Sequence, residues 1–214
     1  MSTDHSTSGP TDTDNAPSTK RTVAVVLAND FEDSEFTEPR DAIVDAGFAV
    51  EIIGSESGTV TGKNGTDVDI DRTAEDANPD DYIALLVPGG FSPDHLRTDD
   101  KIVALVAELV NRPAPTAAIC HAPSLLIEAA VVDGRQMTSY QSIRTDLTNA
   151  GAEVSDAEVV VDDHLITSRH PGDLPAFIDA FLGALRSETS QSRGLAGQPG
   201  VAKGAERAEQ SSAS

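Results

Sequence analysis

Three apolar runs constrain the fold of this chain most: residues 22–28 (TVAVVLA), 82–87 (YIALLV) and 116–119 (TAAI). None alternates apolar with polar residues, so each reads as a strand covered on both faces, the pattern of a parallel sheet. Helical stretches follow them at 35–46, ended by Gly47, at 100–110, ahead of Pro113, and at 123–131. A further strand is predicted at 48–53. Residues 60–70, with the Asn64–Gly65 pair, read as a hairpin. Later come a short strand at 137–139, a helix near 143–150, a second hairpin formed by 158–161 and 165–168, and an amphipathic helix at 175–185. Strand–helix alternation predicts an open α/β sandwich of three layers, a mainly parallel sheet with helices on both faces. Ligands in such sheets bind beyond the carboxyl ends of the strands. The loops at 29–32, 89–94 and 120–123 all fall there.

Residues 1–20 and 187–214 are rich in small and polar residues and poor in large apolar ones. They bury too little to offset the entropy of ordering, so both are expected to be disordered tails flanking one domain at 21–186. The formal net charge is −21. The tails carry little of it: three Asp and one Lys at the start, three acids and three bases at the end. The domain itself is therefore acidic, and the whole chain has four Lys against eleven Arg. No basic stripe is left to neutralise phosphates, which argues against nucleic acid and anionic membranes as partners. The spread of acids resembles proteins of salt-in halophilic archaea; a docking surface for cationic ligands is the rival explanation. No run approaches the roughly 20 apolar residues of a membrane span, and the first residues lack the regions of a secretory signal. A cytoplasmic location is expected.

Cys120 is the single cysteine, which excludes an internal disulfide. It follows a small apolar strand and precedes a helix, in Ala118-Ile119-Cys120-His121-Ala122-Pro123. A sharp turn there would lift the thiol above the sheet, with helix N–H groups to favour a thiolate. A buried structural thiol is the alternative. His121 is either its base or a turn residue. Gly89 and Gly90, after another core strand, permit close backbone approach, for a ligand or for a tight turn. Glu32, after the first strand, places a carboxyl at the same edge. It would stay protonated beside the thiol if desolvated, or otherwise pair with a helix N-terminus, as Asp33 and Glu35 would equally. No His, Asp or Glu spacing suggests a metal site.

Together the stretches Ala28-Asn29-Asp30-Phe31-Glu32-Asp33-Ser34-Glu35, Leu86-Val87-Pro88-Gly89-Gly90, Ala118-Ile119-Cys120-His121-Ala122-Pro123, Thr138-Ser139-Tyr140 and Ser168-Arg169-His170-Pro171 resemble the DJ-1/PfpI family over residues 21–186. The nearest branch is that of the intracellular proteases and deglycases. The resemblance implies a flavodoxin-like sandwich, akin to class I glutamine amidotransferases, with no cofactor. It implies Cys120 as nucleophile, His121 as base, and Glu32 as the protonated carboxyl. Gly90 and the His121 backbone would form the oxyanion site, near Gly89, Ala122 and Tyr140. Asp94 would be the acid of the triad, supplied across an interface in a homodimer or homohexamer. Two departures from the family pattern stand out: Asp94 where Glu is usual, and Ala122 where Gly is usual. His170 is not followed by the Glu of the amidotransferase triad, and it is expected to be a loop residue. His95 and His164 are expected to be solvated.

The expected function is a cysteine-dependent enzyme acting on reactive carbonyls or glycated amines, as a deglycase or glutathione-independent glyoxalase, or on peptides. The alternative is a stress protein, redox-sensing or chaperone-like, that works through Cys120 oxidation.

Overall fold

The computed structural model describes residues 21–196. In chain order the elements are β1 (Thr22–Val26), α1 (Asp33–Asp45), β2 (Ala49–Gly54), β3 (Thr59–Thr61), β4 (Asp67–Asp69), β5 (Arg72–Thr73), β6 (Tyr82–Val87), α2 (Ser92–Leu96), α3 (Asp100–Val110), β7 (Thr116–Ile119) and α4 (Pro123–Glu128). They continue with β8 (Gln136–Met137), α5 (Arg144–Asn149), β9 (Glu153–Val154), β10 (Val159–Asp162), β11 (Leu165–Ser168) and α6 (Leu174–Ala196).

The three apolar runs become β1, β6 and β7, neighbours at the centre of a seven-stranded sheet ordered β10-β11-β7-β6-β1-β2-β5. Every pairing in it is parallel except β10 with β11. Successive side chains of a strand point to opposite faces, so β1 feeds two cores. Val23 and Val25 pack with Phe36 and Ile43 of α1 and Phe177 and Phe181 of α6. Ala24 and Val26 pack with Ile102, Val106 and Leu109 of α3 and Leu125 of α4. Helices thus cover both faces, and the α/β sandwich expected from the sequence is the fold. The 60–70 hairpin is present as β3–β4, and the 158–168 hairpin as β10–β11.

Some expectations are corrected. α4 stops at Glu128, because Ala130 takes a left-handed φ of 55°. The strand near 137 is one half of a parallel pair, β8 with β9, and β9 has no sequence signature. α6 runs to Ala196, past the expected boundary at 186, so residues 187–196 belong to a helix and not to a tail. The expected tail 1–20 and the remainder of the second tail lie outside the described residues.

Candidate active site

The chain leaving β1 and the chain leaving β6 are stitched together over the carboxyl edge of the sheet. Phe31 and Gly90 form an antiparallel bridge. The Phe91 N–H donates to the Asp30 carbonyl at 2.8 Å, and the Glu32 N–H to the Gly89 carbonyl at 3.3 Å. Gly90 sits at a φ of 75°, where a side chain is strained, and any Cβ there would run into the Asp30–Glu32 backbone.

Cys120 follows β7 at a φ of 63°, a left-handed conformation that costs a side-chain-bearing residue about 1–2 kcal/mol. The surrounding structure enforces it. Its N–H donates to the Ser168 carbonyl, and its carbonyl accepts from the Tyr140 N–H, both at 3.0 Å. The thiol is buried. Helix α4 begins beyond it at Pro123 and is only 6 residues long. The polar groups acting directly on the sulfur are therefore local: the N–H groups of His121 and Gly90. Burial pushes the thiol pKa up and the Glu35 carboxyl pushes it further, while these two N–H groups pull it down.

The carboxyl beside Cys120 belongs to Glu35, which corrects the placement expected for Glu32. Glu32 caps α1 in an extended conformation, so its side chain leaves the helix outward and pairs with Lys63 at 2.8 Å. Glu35 lies in the first turn, on the buried stripe with Phe36, Pro39 and Ile43, and is fully buried. Its Oε2 accepts from the Gly89 N–H at 2.9 Å. Its Oε1 has no nitrogen or oxygen partner, and the remaining group against the carboxyl is the Cys120 thiol. Burial raises the Glu35 pKa to about 7, against opposing hydrogen bonds from Cys120 and Gly89. Gly89 has no room for a side chain, since a Cβ would lie 2.5 Å from Glu35 Oε2 and 2.7 Å from the Cys120 Cβ.

Cys120, His121, Tyr140, Gly90, Glu32 and Lys63 line one cavity of about 270 Å³. The His121 ring stacks on Tyr140, 4.9 Å away, and on Phe91, 6.4 Å away. Burial lowers the His121 pKa, outweighing the Asp94 charge, so the imidazole is neutral at pH 7 and able to accept a proton. Asp94 borders a second cavity, of about 690 Å³, that His121 also lines. Its side chain is 60% exposed, and its ion partner is Arg97 at 3.9 Å. Ala122 adopts an ordinary helical conformation with its methyl buried in the α3–α4 core, so the departure from Gly is accommodated away from the cavity.

The other histidines lie elsewhere. His164, expected to be solvated, donates from Nε2 to the Val110 carbonyl at 2.7 Å, with its side chain only 13% exposed. His95 pairs with Asp30 at 3.2 Å, and His170 Nδ1 accepts from the Gly172 N–H. Among the described residues no group of three or more His, Cys, Asp or Glu is placed to hold a metal. Sequence reasoning missed Glu35, Lys63 and Phe91. The signal for Glu35 was there: a carboxyl on the apolar face of α1.

The DJ-1/PfpI family model matches residues 21–184. General stress protein 18 of Bacillus subtilis is 52% identical over 158 residues, 72% of this chain and 92% of that protein. Protein/nucleic acid deglycase 2 of Escherichia coli is 49% identical over the same shares. YraA of Bacillus subtilis, which carries the name of a candidate cysteine protease, is 46% identical over 77% of this chain and 98% of its own. Among solved structures, a two-domain protein of Anabaena variabilis with DJ-1/ThiJ/PfpI-like and ferritin-like domains aligns with a TM-score of 0.77 at 38% identity, covering 78% of this chain and 48% of that one. Schizosaccharomyces pombe DJ-1 aligns with a TM-score of 0.70 at 21% identity, covering 83% and 100%, a likeness of fold.

Proposed function

The chain belongs to the DJ-1/PfpI family, and from that premise we propose that it is a cysteine-dependent enzyme of reactive carbonyls and glycated amines, with Cys120 as nucleophile. The observation that carries the reading is the buried Glu35 carboxyl against the Cys120 thiol, which itself lines a small cavity with a neutral His121. The cavity of about 270 Å³ favours a small carbonyl over a peptide. The deglycase name of the Escherichia coli relative points the same way.

In this mechanism the Cys120–Glu35 pair titrates as a unit. Protonated Glu35 hydrogen-bonds the sulfur, and His121 takes the thiol proton as Sγ attacks the aldehyde carbon. The C–S bond forms, and the carbonyl π pair moves onto oxygen, held by the Gly90 and His121 N–H groups. The proton returns from His121 to that oxygen and gives a hemithioacetal. From methylglyoxal, the proton on the sulfur-bearing carbon moves to the neighbouring carbonyl carbon and the hydroxyl proton to that carbonyl's oxygen, which yields a thioester. Water then cleaves the C–S bond, releasing lactate and the thiol. With an amine glycated as a hemiaminal, Sγ takes the place of nitrogen on that carbon: the C–S bond forms as the C–N bond breaks, the amine leaves with the proton from His121, and the same hemithioacetal results. Asp94 is proposed to orient His121 across an interface in a homodimer or homohexamer.

The test is methylglyoxal loss and lactate formation in multimolar KCl by wild type and Cys120→Ser. Lactate from wild type alone is the expected result. With both proteins folded and neither forming lactate, the glyoxalase chemistry is wrong, and peptide hydrolysis or Cys120 oxidation takes its place.

A further inference from the structure

The Cys120 cavity carries a cation that this chemistry does not use. Lys63 is one of four lysines in a chain with 36 acidic residues, yet it lines this cavity. Its loop is built to hold it there. The Lys63 N–H donates to the Phe31 carbonyl at 2.9 Å, and the Gly62 N–H closes the turn onto the Thr66 carbonyl at 2.8 Å. The buried Asp33 carboxylate then clamps the turn to the start of α1. It accepts from the N–H groups of Asn64 at 2.8 Å and Thr66 at 3.0 Å, and from Asn64 Nδ2 at 3.1 Å. The fit leaves no room at Gly62, where a Cβ would lie 2.7 Å from Asp33 Oδ1. Lys63 Nζ contacts Glu32 Oε2 at 2.8 Å with its side chain 44% exposed. An ammonium has three donors, and Glu32 takes one of them. Its charge also acts on Cys120, Glu35 and His121.

We propose that Lys63 is the anion-recognition group of the Cys120 cavity, and that the substrate class it selects is a small 2-oxoaldehyde that also bears a carboxylate. This rests on the Cys120 reading above and names its substrate. The acidic protein repels anions at long range, so an anionic substrate needs a fixed local cation at the thiol. A cavity of about 270 Å³ holds few atoms, which keeps the carboxylate within reach of both Lys63 and Cys120. Glu32 is the resting counter-ion that holds the ammonium over the cavity until the carboxylate arrives. A neutral aldehyde draws nothing from Lys63.

Alkylation of Cys120 tests this without turnover, since the full chain has one cysteine and its modification is read by intact mass. Iodoacetate and iodoacetamide share one mechanism and differ in charge. The ratio of the iodoacetate rate to the iodoacetamide rate is expected to fall about tenfold in Lys63→Gln, the worth of a charge-assisted hydrogen bond. Lys63→Arg is expected to keep the ratio, and Glu32→Gln to raise it. An unmoved ratio overturns the proposal. So does an equal slowing of both reagents, which would place the Lys63 effect on the thiol instead of the incoming anion. Wild type that forms no lactate yet shows the Lys63-dependent ratio defeats the glyoxalase reading and leaves the anion site standing. Lactate formation with an unmoved ratio defeats the anion site alone.

Discussion

Glu35 and Glu32 differ by one helical turn, and that turn separates a buried carboxyl from a surface ion pair. Glu35 is fully buried, with a pKa raised by burial from 4.5 to about 7. The sign follows from linkage. A carboxyl whose folded pKa lies above its unfolded value stabilises the fold fully below the unfolded value, and the contribution is lost as pH rises through the folded one. Between pH 4.5 and pH 8, wild type should therefore lose up to about 3 kcal/mol relative to Glu35→Gln. Urea unfolding of both proteins across that range measures it. A difference that stays constant with pH would mean that Glu35 is ionised in the folded protein throughout. The choice of Glu35 was legible in the sequence, because 35, 36, 39 and 43 recur at helical spacing and three of the four are apolar or Pro. A carboxyl on that stripe is forced toward the sheet. Glu32 lies ahead of the helix, where the helical period does not apply.

At the scale of elements, the β3–β4 hairpin is the piece that sequence placed but did not orient. Its turn folds back onto α1 through Asp33. Burial pushes the Asp33 carboxyl up, but hydrogen bonds from Thr66 and Asn64 outweigh this and hold it below the usual carboxylate range. Asp33→Ala leaves the N–H groups of Asn64 and Thr66 without their acceptor, which should cost about 2 kcal/mol. Hydrogen exchange of the amides at 62–66 should speed up in the same variant. A variant with unchanged exchange there would show that the turn is held by its own β3–β4 pairing. The β7–α4 junction was legible for a different reason: a lone Cys between a small apolar strand and Pro123 leaves little else for the backbone to do than turn. The left-handed φ of Cys120 was not legible, since it is imposed by the Ser168 and Tyr140 backbones, remote in sequence.

For the whole molecule, the acidic excess is the property with no counterpart in the site. Charges of one sign spread over the domain repel one another, and salt shortens their range from about 10 Å at 0.1 M to about 3 Å at 1 M. The melting temperature is therefore expected to rise from 0.1 M to 2 M KCl; no rise, or a fall, would mean that self-repulsion does not limit stability. The sequence by itself determined the layered fold, because β1, β6 and β7 are apolar at every buried position except Thr116, and only a sheet covered on both faces accepts such strands. It also determined which loops meet, because parallel strands bring their carboxyl ends to one edge. Only the tertiary structure decided that His121 stacks on Phe91 and Tyr140, and that Lys63 reaches the cavity. Each depends on where a side chain points after segments distant in sequence have packed, and local spacing carries no information about that direction.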